Sequence, residues 1–347
     1  MKLINTREAE GHVLCHDMTQ IIPGKYKGPV FKKGHVVTKE DIPVLLSIGK
    51  EHLYVWEKDE NMLHEDEAAQ ILYEICAGAN MHPTGVSEGK IELIADCDGL
   101  LKVDRKRLAA VNSLGEMMIA SRHGNTAVKK GDKIAGTRVI PLVIEKEKME
   151  RAKSVSAGAP IFQILPFKLK KAAVLTTGSE VFHGLIQDRF TPVIEKKLQE
   201  YDIEVAFHEV FDDDPAALTD GCIRAIGSGA EIVLCTGGMS VDPDDRTPLA
   251  IKNTGARVVS YGAPVLPGAM FMLAYYEHEA GQAGTVPIAG LPGCAMYAKR
   301  TIFDLVLPRL AAGDEITAED LAGLGEGGLC LQCPVCTFPN CGFGKGH

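Results

Sequence analysis

From Lys171 to about Gly313 the chain alternates between short apolar runs and stretches of helical period. The run "AAVLTT" (Ala172–Thr177) is apolar on both faces and stops at Gly178, which predicts a buried strand. Phe190, Val193, Ile194, Leu198 and Tyr201 then recur at helical spacing, with Pro192 acceptable in a first turn. "IEVAFHEVF" (Ile203–Phe211) alternates as a strand does. Leu218, Cys222, Ala225 and Ile226 mark a second helix that ends at Gly227–Gly229. "EIVLCTGG" is a further buried strand, Thr247–Pro248 opens a short helix, and "TVPIAGLPG" followed by "CAMYAKRTIFDLVLPRL" gives a last strand, loop and helix. Such alternation implies right-handed crossovers and a mostly parallel α/β sheet.

The first half carries less pattern. "GHVLCHDM", "KIELIADCDGLLKV" and "GDKIAGTRVIPLVI" read as strands, and His64–Ala79 as an acid-started helix with Ala68, Ile71, Leu72 and Ile75 inward. Glu65, Asp66 and Glu67 are expected to be a solvated first turn, since no second histidine follows at metalloprotease spacing. A smaller α+β or strand-rich domain is expected over 1–165, with Glu145–Pro160 as its linker, then an α/β domain over 166–315. A hinge around "GLGEGG" and a separate tail complete the chain over 316–347.

The totals narrow the classes. A length of 347 residues suggests about two domains. A net charge of −9 argues against nucleic acid as a partner, although a loop on an acidic protein still binds a small anion. The opening residues lack the apolar core of a signal peptide and no apolar run is long enough to span a bilayer, so a cytoplasmic setting without membrane is expected. In that compartment most of Cys15, Cys76, Cys97, Cys222, Cys235 and Cys294 are expected as small reduced, buried hydrophobes. Cys330, Cys333, Cys336 and Cys341, spaced C-x2-C-x2-C-x4-C, instead point to a metal. Four thiolates suit tetrahedral Zn²⁺; the contiguous run also suits a [4Fe–4S] cluster, though its last spacing is long for the ferredoxin pattern.

Ligands of doubly wound sheets sit where strands end and helices begin. Three glycine loops hold that position: "TTGSE" (Thr176–Glu180), "TGGMS" (Thr236–Ser240) and "GLPGC" (Gly290–Cys294). Asp242, Asp244 and Asp245 follow the second of them, where a phosphate alone would be repelled. Asp242 and Asp244 read first as turn and helix-start residues, Asp245 as a site residue. A carboxylate there is useful if it holds Mg²⁺ or accepts hydrogen bonds from a heterocycle at the far end of a phosphorylated ligand.

"TGGMSVDPDDRTPLAI" resembles the Gly-Gly loop of molybdopterin-binding domains, and "TTGSEV", "EVFDDDPAAL", "GAPVLPGAM" and "GLPGCA" fall where that family carries its other loops. The resemblance covers roughly Lys171–Gly313. It implies the doubly wound molybdopterin-binding α/β fold and a homodimer. It further implies that Gly178, Ser179, Thr236, Gly237, Gly238, Ser240, Asp242, Pro267, Gly268, Pro292 and Gly293 hold a pterin ligand. The catalytic residues it implies are Asp245 and Asp212, which handle Mg²⁺ or cofactor, together with Glu180 and Asp188. The activity implied is Mg-dependent insertion of molybdate into molybdopterin or its adenylylated form. The alternative is a non-enzymatic carrier, chaperone or sensor acting with a molybdoenzyme. Ser179 stands where the transferases carry aspartate, Ala269 and Met270 where they carry lysine, and Cys294 where they carry asparagine. "EAEGHVLCHDM", with Glu8, Gly11, Val13, Leu14 and Asp17, also resembles the transferases' opening, while the intervening transferase domain is missing.

Overall fold

The computed structural model describes residues 2–55, 60–243, 245–278 and 284–346. Asp244, one of the three loop aspartates, and Trp56 lie outside the described residues. The chain divides into two compact units. One comprises Met1–Cys97, Val103–Arg122 and Lys129–Ile164; the other comprises Leu165–His347 with the inserts Asp98–Lys102 and His123–Val128.

In the second unit a six-stranded sheet forms from β1 (Lys171–Thr177), β2 (Glu204–Phe211), β3 (Ile232–Thr236), β4 (Arg257–Tyr261), β5 (Met272–Glu277) and β6 (Thr285–Leu291), in the order β2-β1-β3-β6-β5-β4. The pairs β1–β2, β1–β3 and β3–β6 are parallel, whereas β5 runs antiparallel to both neighbours. The periodicity argument did not pick out β4 and β5. Alternate strand residues face two cores. Ala172, Val174, Ile232, Leu234 and Ala289 meet α1 (Thr191–Gln199) and α4 (Ile302–Ala311). Ala173, Leu175, Val233, Cys235 and Ile288 meet α2 (Pro215–Gly227) and α3 (Thr247–Asn253). Burial on both faces is why these strands read as unbroken apolar runs. Pro215 opens α2 at a position that needs no N–H, and Asp214 caps it by accepting from the Ala216 N–H.

The tail folds into this same unit and does not hang from a hinge. Thr317 caps a short α5 (Ala318–Ala322), Gly323–Gly325 forms a 3-10 turn, and Ile316, Leu321 and Phe343 are core residues. Phe343 is 4% exposed, and that apolar anchor is what the polar, glycine-rich spelling of the segment concealed.

In the first unit, residues 2–55 close a small core of Ile4, Leu14, Met18, Val37, Leu45, Leu53 and Val55. Beyond it, an antiparallel sheet of Met81–Pro83, Lys90–Ala95, Lys133–Val139 and Met117–Ser121 packs against the helix Glu65–Cys76. The expected linker is instead a helix, Lys146–Val155, because Met149 and Ala152 recur at one turn and are buried.

In the first turn of Glu65–Cys76, Glu67 is exposed as expected, whereas Glu65 is buried. His64 caps the helix, its Nδ1 accepting from the Asp66 N–H and from Lys33 Nζ (3.0 Å), its Nε2 lying 2.8 Å from the Cys15 carbonyl. Glu65 is only 7% exposed. Burial, reinforced by Asp66 and opposed by Arg138, pushes its carboxyl from 4.5 up to about 7. The native state therefore holds this proton to higher pH than the unfolded chain does. The associated stability is complete below about 4.5 and is lost as pH rises through about 7. Urea unfolding from pH 5 to pH 8 is expected to show a decline that Glu65→Gln flattens; identical slopes in the two proteins would refute the assignment.

Candidate functional site

Strand β1 leads outward to β2, and α2 then carries the chain back across to β3 on the other side of β1. The strand order reverses between β1 and β3, so a crevice opens at their carboxyl ends. Thr177–Gly178 and Thr236–Gly237 border it. The other predicted loops reach the same rim. Asp212 follows β2, and Pro292–Gly293 follow β6. Pro267–Gly268 lie just before β5, whose Met272 pairs with Gly290 at the end of β6.

Beneath the loops lies an array of buried threonines. Thr236 Oγ1 donates to Thr176 Oγ1 (3.2 Å), which donates to Asp188 Oδ2 (3.1 Å). Asp188 also accepts from Thr191 Oγ1 (2.6 Å) and from the N–H groups of Phe190 (2.8 Å) and Thr191 (3.2 Å). His208 Nε2 stands 3.5 Å from it. Burial alone would raise the Asp188 carboxyl, but these donors outweigh it and hold the pKa below the usual carboxylate value. Asp188 thereby joins β1 to the start of α1.

On the opposite face, Thr177 Oγ1 lies 3.3 Å from Thr247 Oγ1, and Thr247 Oγ1 donates to the Gly237 carbonyl (2.9 Å). The Thr247 N–H donates to the Gly238 carbonyl (3.1 Å). The Gly237 and Gly238 carbonyls are thus turned toward the start of α3. Gly237 and Gly238 have φ of +85° and +56°, and a Cβ on Gly237 would collide with the Thr177 carbonyl. These glycines are thus demanded by contacts with Thr177 and Thr247, before any ligand is considered. Among the described residues, the amides of Gly238, Met239 and Ser240 donate to no acceptor, forming a run of N–H groups suited to an anion.

The first loop differs. The Gly178 N–H is taken by the Phe211 carbonyl (3.2 Å) and the Ser179 N–H by Asp213 Oδ2 (3.1 Å). Asp213 was missed by the sequence reading, which chose its neighbour from the run "DDD". Asp212 lies 3.8 Å from His183. Glu180 is exposed, as is Asp242, whose carbonyl accepts from the Asp245 N–H (2.9 Å). Asp245 is half-buried, and its carboxylate has no partner among the described residues. No three ligand atoms from Glu180, Asp188, Asp212 and Asp245 gather within 4.8 Å; among the described residues only His64, Glu65 and Asp66 do, and there Lys33 Nζ, 2.7 Å from Asp66, already supplies the cation. Gly268, at φ +130°, packs against Ile302, and the Ile302 N–H donates to the Pro267 carbonyl (3.2 Å). The space that a Cβ of Gly293 would fill is open. Among the described residues no three of the tail sulfurs lie within 4.8 Å of one another; Cys330 and Cys341 are half-buried, Cys333 and Cys336 are exposed. A depression of about 350 Å³ lined by Ile71, Glu74, Lys153 and Pro160 belongs to the first unit, with none of these loops.

Residues 173–312, which carry this rim, match the family described as "Probable molybdopterin binding domain". That segment is a molybdopterin-binding-family domain, on the α/β fold the sequence pattern predicts. Residues 3–57 match a family described only as a domain of unknown function. Among curated proteins, 85 residues are 34% identical to the "Molybdenum cofactor biosynthesis bifunctional protein" of Synechococcus elongatus, covering 24% of this chain and 27% of that one. A "CinA-like protein" of Mycobacterium tuberculosis is 31% identical over 77 residues, covering 22% of this chain and 18% of that one. The matches therefore span about a quarter or less of these relatives. The crystal structure titled as the molybdopterin biosynthesis enzyme MoaB of Thermus thermophilus superposes with a TM-score of 0.33 at 23% identity, covering 42% of this chain and 98% of that one. Among the described residues no helix is long and apolar enough to cross a membrane.

Proposed function

We propose that the rim binds molybdopterin or its adenylylated form and assists the insertion of molybdate. The observation that carries this reading is the run of amides at Gly238–Ser240 that meet no acceptor among the described residues, set at the β1/β3 crevice with Asp245 a few residues beyond. The amides suit the terminal phosphate, and the carboxylate suits the N–H donors of a pterin ring or a Mg²⁺ ion shared with the phosphate. Asp212 and Asp245 are the residues that would hold Mg²⁺, which needs only one or two carboxylates when a phosphate completes its shell. Mg²⁺ would supply charge neutralisation there. Glu180 lines the mouth, and Asp188 with its threonines keeps the first loop in place. Catalysis at such a rim is positioning and electrostatics, without a covalent intermediate. A homodimer fits the same family reading.

Asp245→Asn tests this. Anaerobic binding of molybdopterin is expected to persist, while molybdate insertion falls by roughly a hundredfold, since even partners of metal ligands cost about 10–100-fold. A carrier is the second reading, favoured by Ala269 and Met270 where the resemblance places a lysine. It would be upheld if Asp245→Asn altered affinity alone. Absence of any molybdopterin binding, with or without Mg²⁺, would sink both.

A further inference from the structure

We infer that residues 2–55 join two copies of this chain by a two-fold exchange, the hairpin arm of each copy covering the Leu3–Tyr54 face of the other. The inference is independent of what the rim binds. The arm pairs Met18–Ile22 with Tyr26–Phe31 as an antiparallel two-stranded sheet of its own. Its base is anchored, since Met18 is buried in the core of 2–55 and Phe31 packs against that core. Pro23 and Gly24 turn the chain at the far end, with Gly24 at φ +72° and the Lys25 N–H donating to the Ile22 carbonyl (2.9 Å). Beyond its base the arm is uncovered. Ile21 is 65% exposed, and Ile22 stands opposite Tyr26 with both side chains exposed. Successive strand residues face opposite ways, so Ile21 and Ile22 put apolar surface on both faces of the ribbon. A two-stranded ribbon left alone in water is marginal, and apolar surface on both of its faces calls for a partner.

A second surface of 2–55 is uncovered in the same way. The strands Lys2–Asn5 and His52–Val55 pair Leu3 with Tyr54 and Ile4 with Leu53. Ile4 and Leu53 fill the core, whereas Leu3 (55% exposed) and Tyr54 (45%) form an apolar pair where a half-buried antiparallel sheet ordinarily carries polar residues. Of the 25 large hydrophobic residues exposed among the described residues, eight fall within 2–55, about a sixth of the chain. That concentration marks the segment as a contact surface.

Charge selects the occupant. Residues 18–39 carry five lysines and no aspartate or glutamate, and only Lys33 among them meets a carboxylate, Asp66, within the described residues. The rest of 2–55 holds three basic residues against six acidic ones. Arm and body therefore attract, while two arms repel. Within one chain the arm and the Leu3–Tyr54 face are both exposed, so an arm does not cover the face beside its own root. A second copy brings the opposite charge and the apolar cover together, and a two-fold axis makes each contact twice.

The test uses the full chain. Sedimentation velocity at low salt is expected to show a dimer that weakens as salt is raised. Ile21→Ser with Tyr26→Ser on the arm, and Leu3→Ser on the face, should each raise the dimer Kd roughly tenfold or more, because one large apolar side chain lost from a dry contact costs about that factor. Lys25→Glu with Lys27→Glu should weaken the dimer at low salt and matter little at high salt. All these side chains are exposed, so the far-ultraviolet circular dichroism should not change. A second measurement needs no variant. Isotope-labelled and unlabelled chains are co-incubated and treated with a zero-length carbodiimide, which joins lysines to carboxylates. Mixed-isotope links from Lys25 or Lys27 to carboxylates within residues 2–55 are expected. A monomer at every concentration would overturn the inference, as would a dimer indifferent to the arm variants or to Leu3→Ser. Mixed-isotope links that join other surfaces only would overturn it equally.

Discussion

Replacing Asp304 by Asn is expected to destabilise the α/β unit by about 3–5 kcal/mol, the range for breaking a buried ion pair by removing one partner. Lys197 of α1 and Asp304 of α4 meet at 2.5 Å, with side chains 9% and 3% exposed. Asp304 also receives Arg300 (2.8 Å) and, through its second oxygen, the Thr301 N–H (2.7 Å) that closes the capping box of α4. Asn keeps the shape but leaves the Lys197 ammonium buried without its counter-charge. Equilibrium urea unfolding measures the loss. Combining Asp304→Asn with Lys197→Met should cost less than the sum of the two single changes, because the stranded charge is gone. A single-variant loss below about 1 kcal/mol would show the pair to be solvated. The effect should reach the rim, since α4 begins at Ile302, beneath Pro267 and Gly268.

Gly237→Ala is expected to cost on the order of 3 kcal/mol or more, combining left-handed backbone strain with a collision against backbone. Gly293→Ala is the contrast: nothing lies within 4 Å of its missing Cβ, so a stability change under about 0.5 kcal/mol is expected. Both glycines are candidates for touching the ligand. Only Gly293→Ala can therefore report on binding without first disturbing the fold. Equal losses in the two variants would contradict the packing argument.

The site was legible to different depths. Three of the five loops were readable because each marks the end of an apolar run, and strand ends of a doubly wound sheet share one rim by topology; "EVFDDDPAAL" and "GAPVLPGAM" were placed by the family resemblance. The internal wiring of the loops was not legible. Which amides meet an acceptor depends on where Asp213 and Phe211 happen to reach, and "DDD" gives no sign of which carboxylate does so. The buried burden on Glu65 was equally hidden, because an acidic first turn is spelled the same way whether it meets water or Gly89. Strands β4 and β5 escaped notice for a related reason. "RVVSY" and "MLAYYE" lack both strict alternation and the glycine-to-helix ending that marked the parallel strands.

The sequence by itself determined the alternation of strands and helices in the second half, the rim on which its loops meet, and the four-cysteine spacing of the tail. These are local properties: period, turn chemistry and residue spacing act within a few residues of one another. Only the tertiary structure decided that Asp188 joins β1 to α1, that Gly237 and Gly238 serve Thr177 and Thr247, and that the tail is anchored through Phe343. Each of these depends on partners more than ten residues away or on another element. Hydrogen-bond satisfaction and close packing are settled by what arrives from elsewhere in the chain.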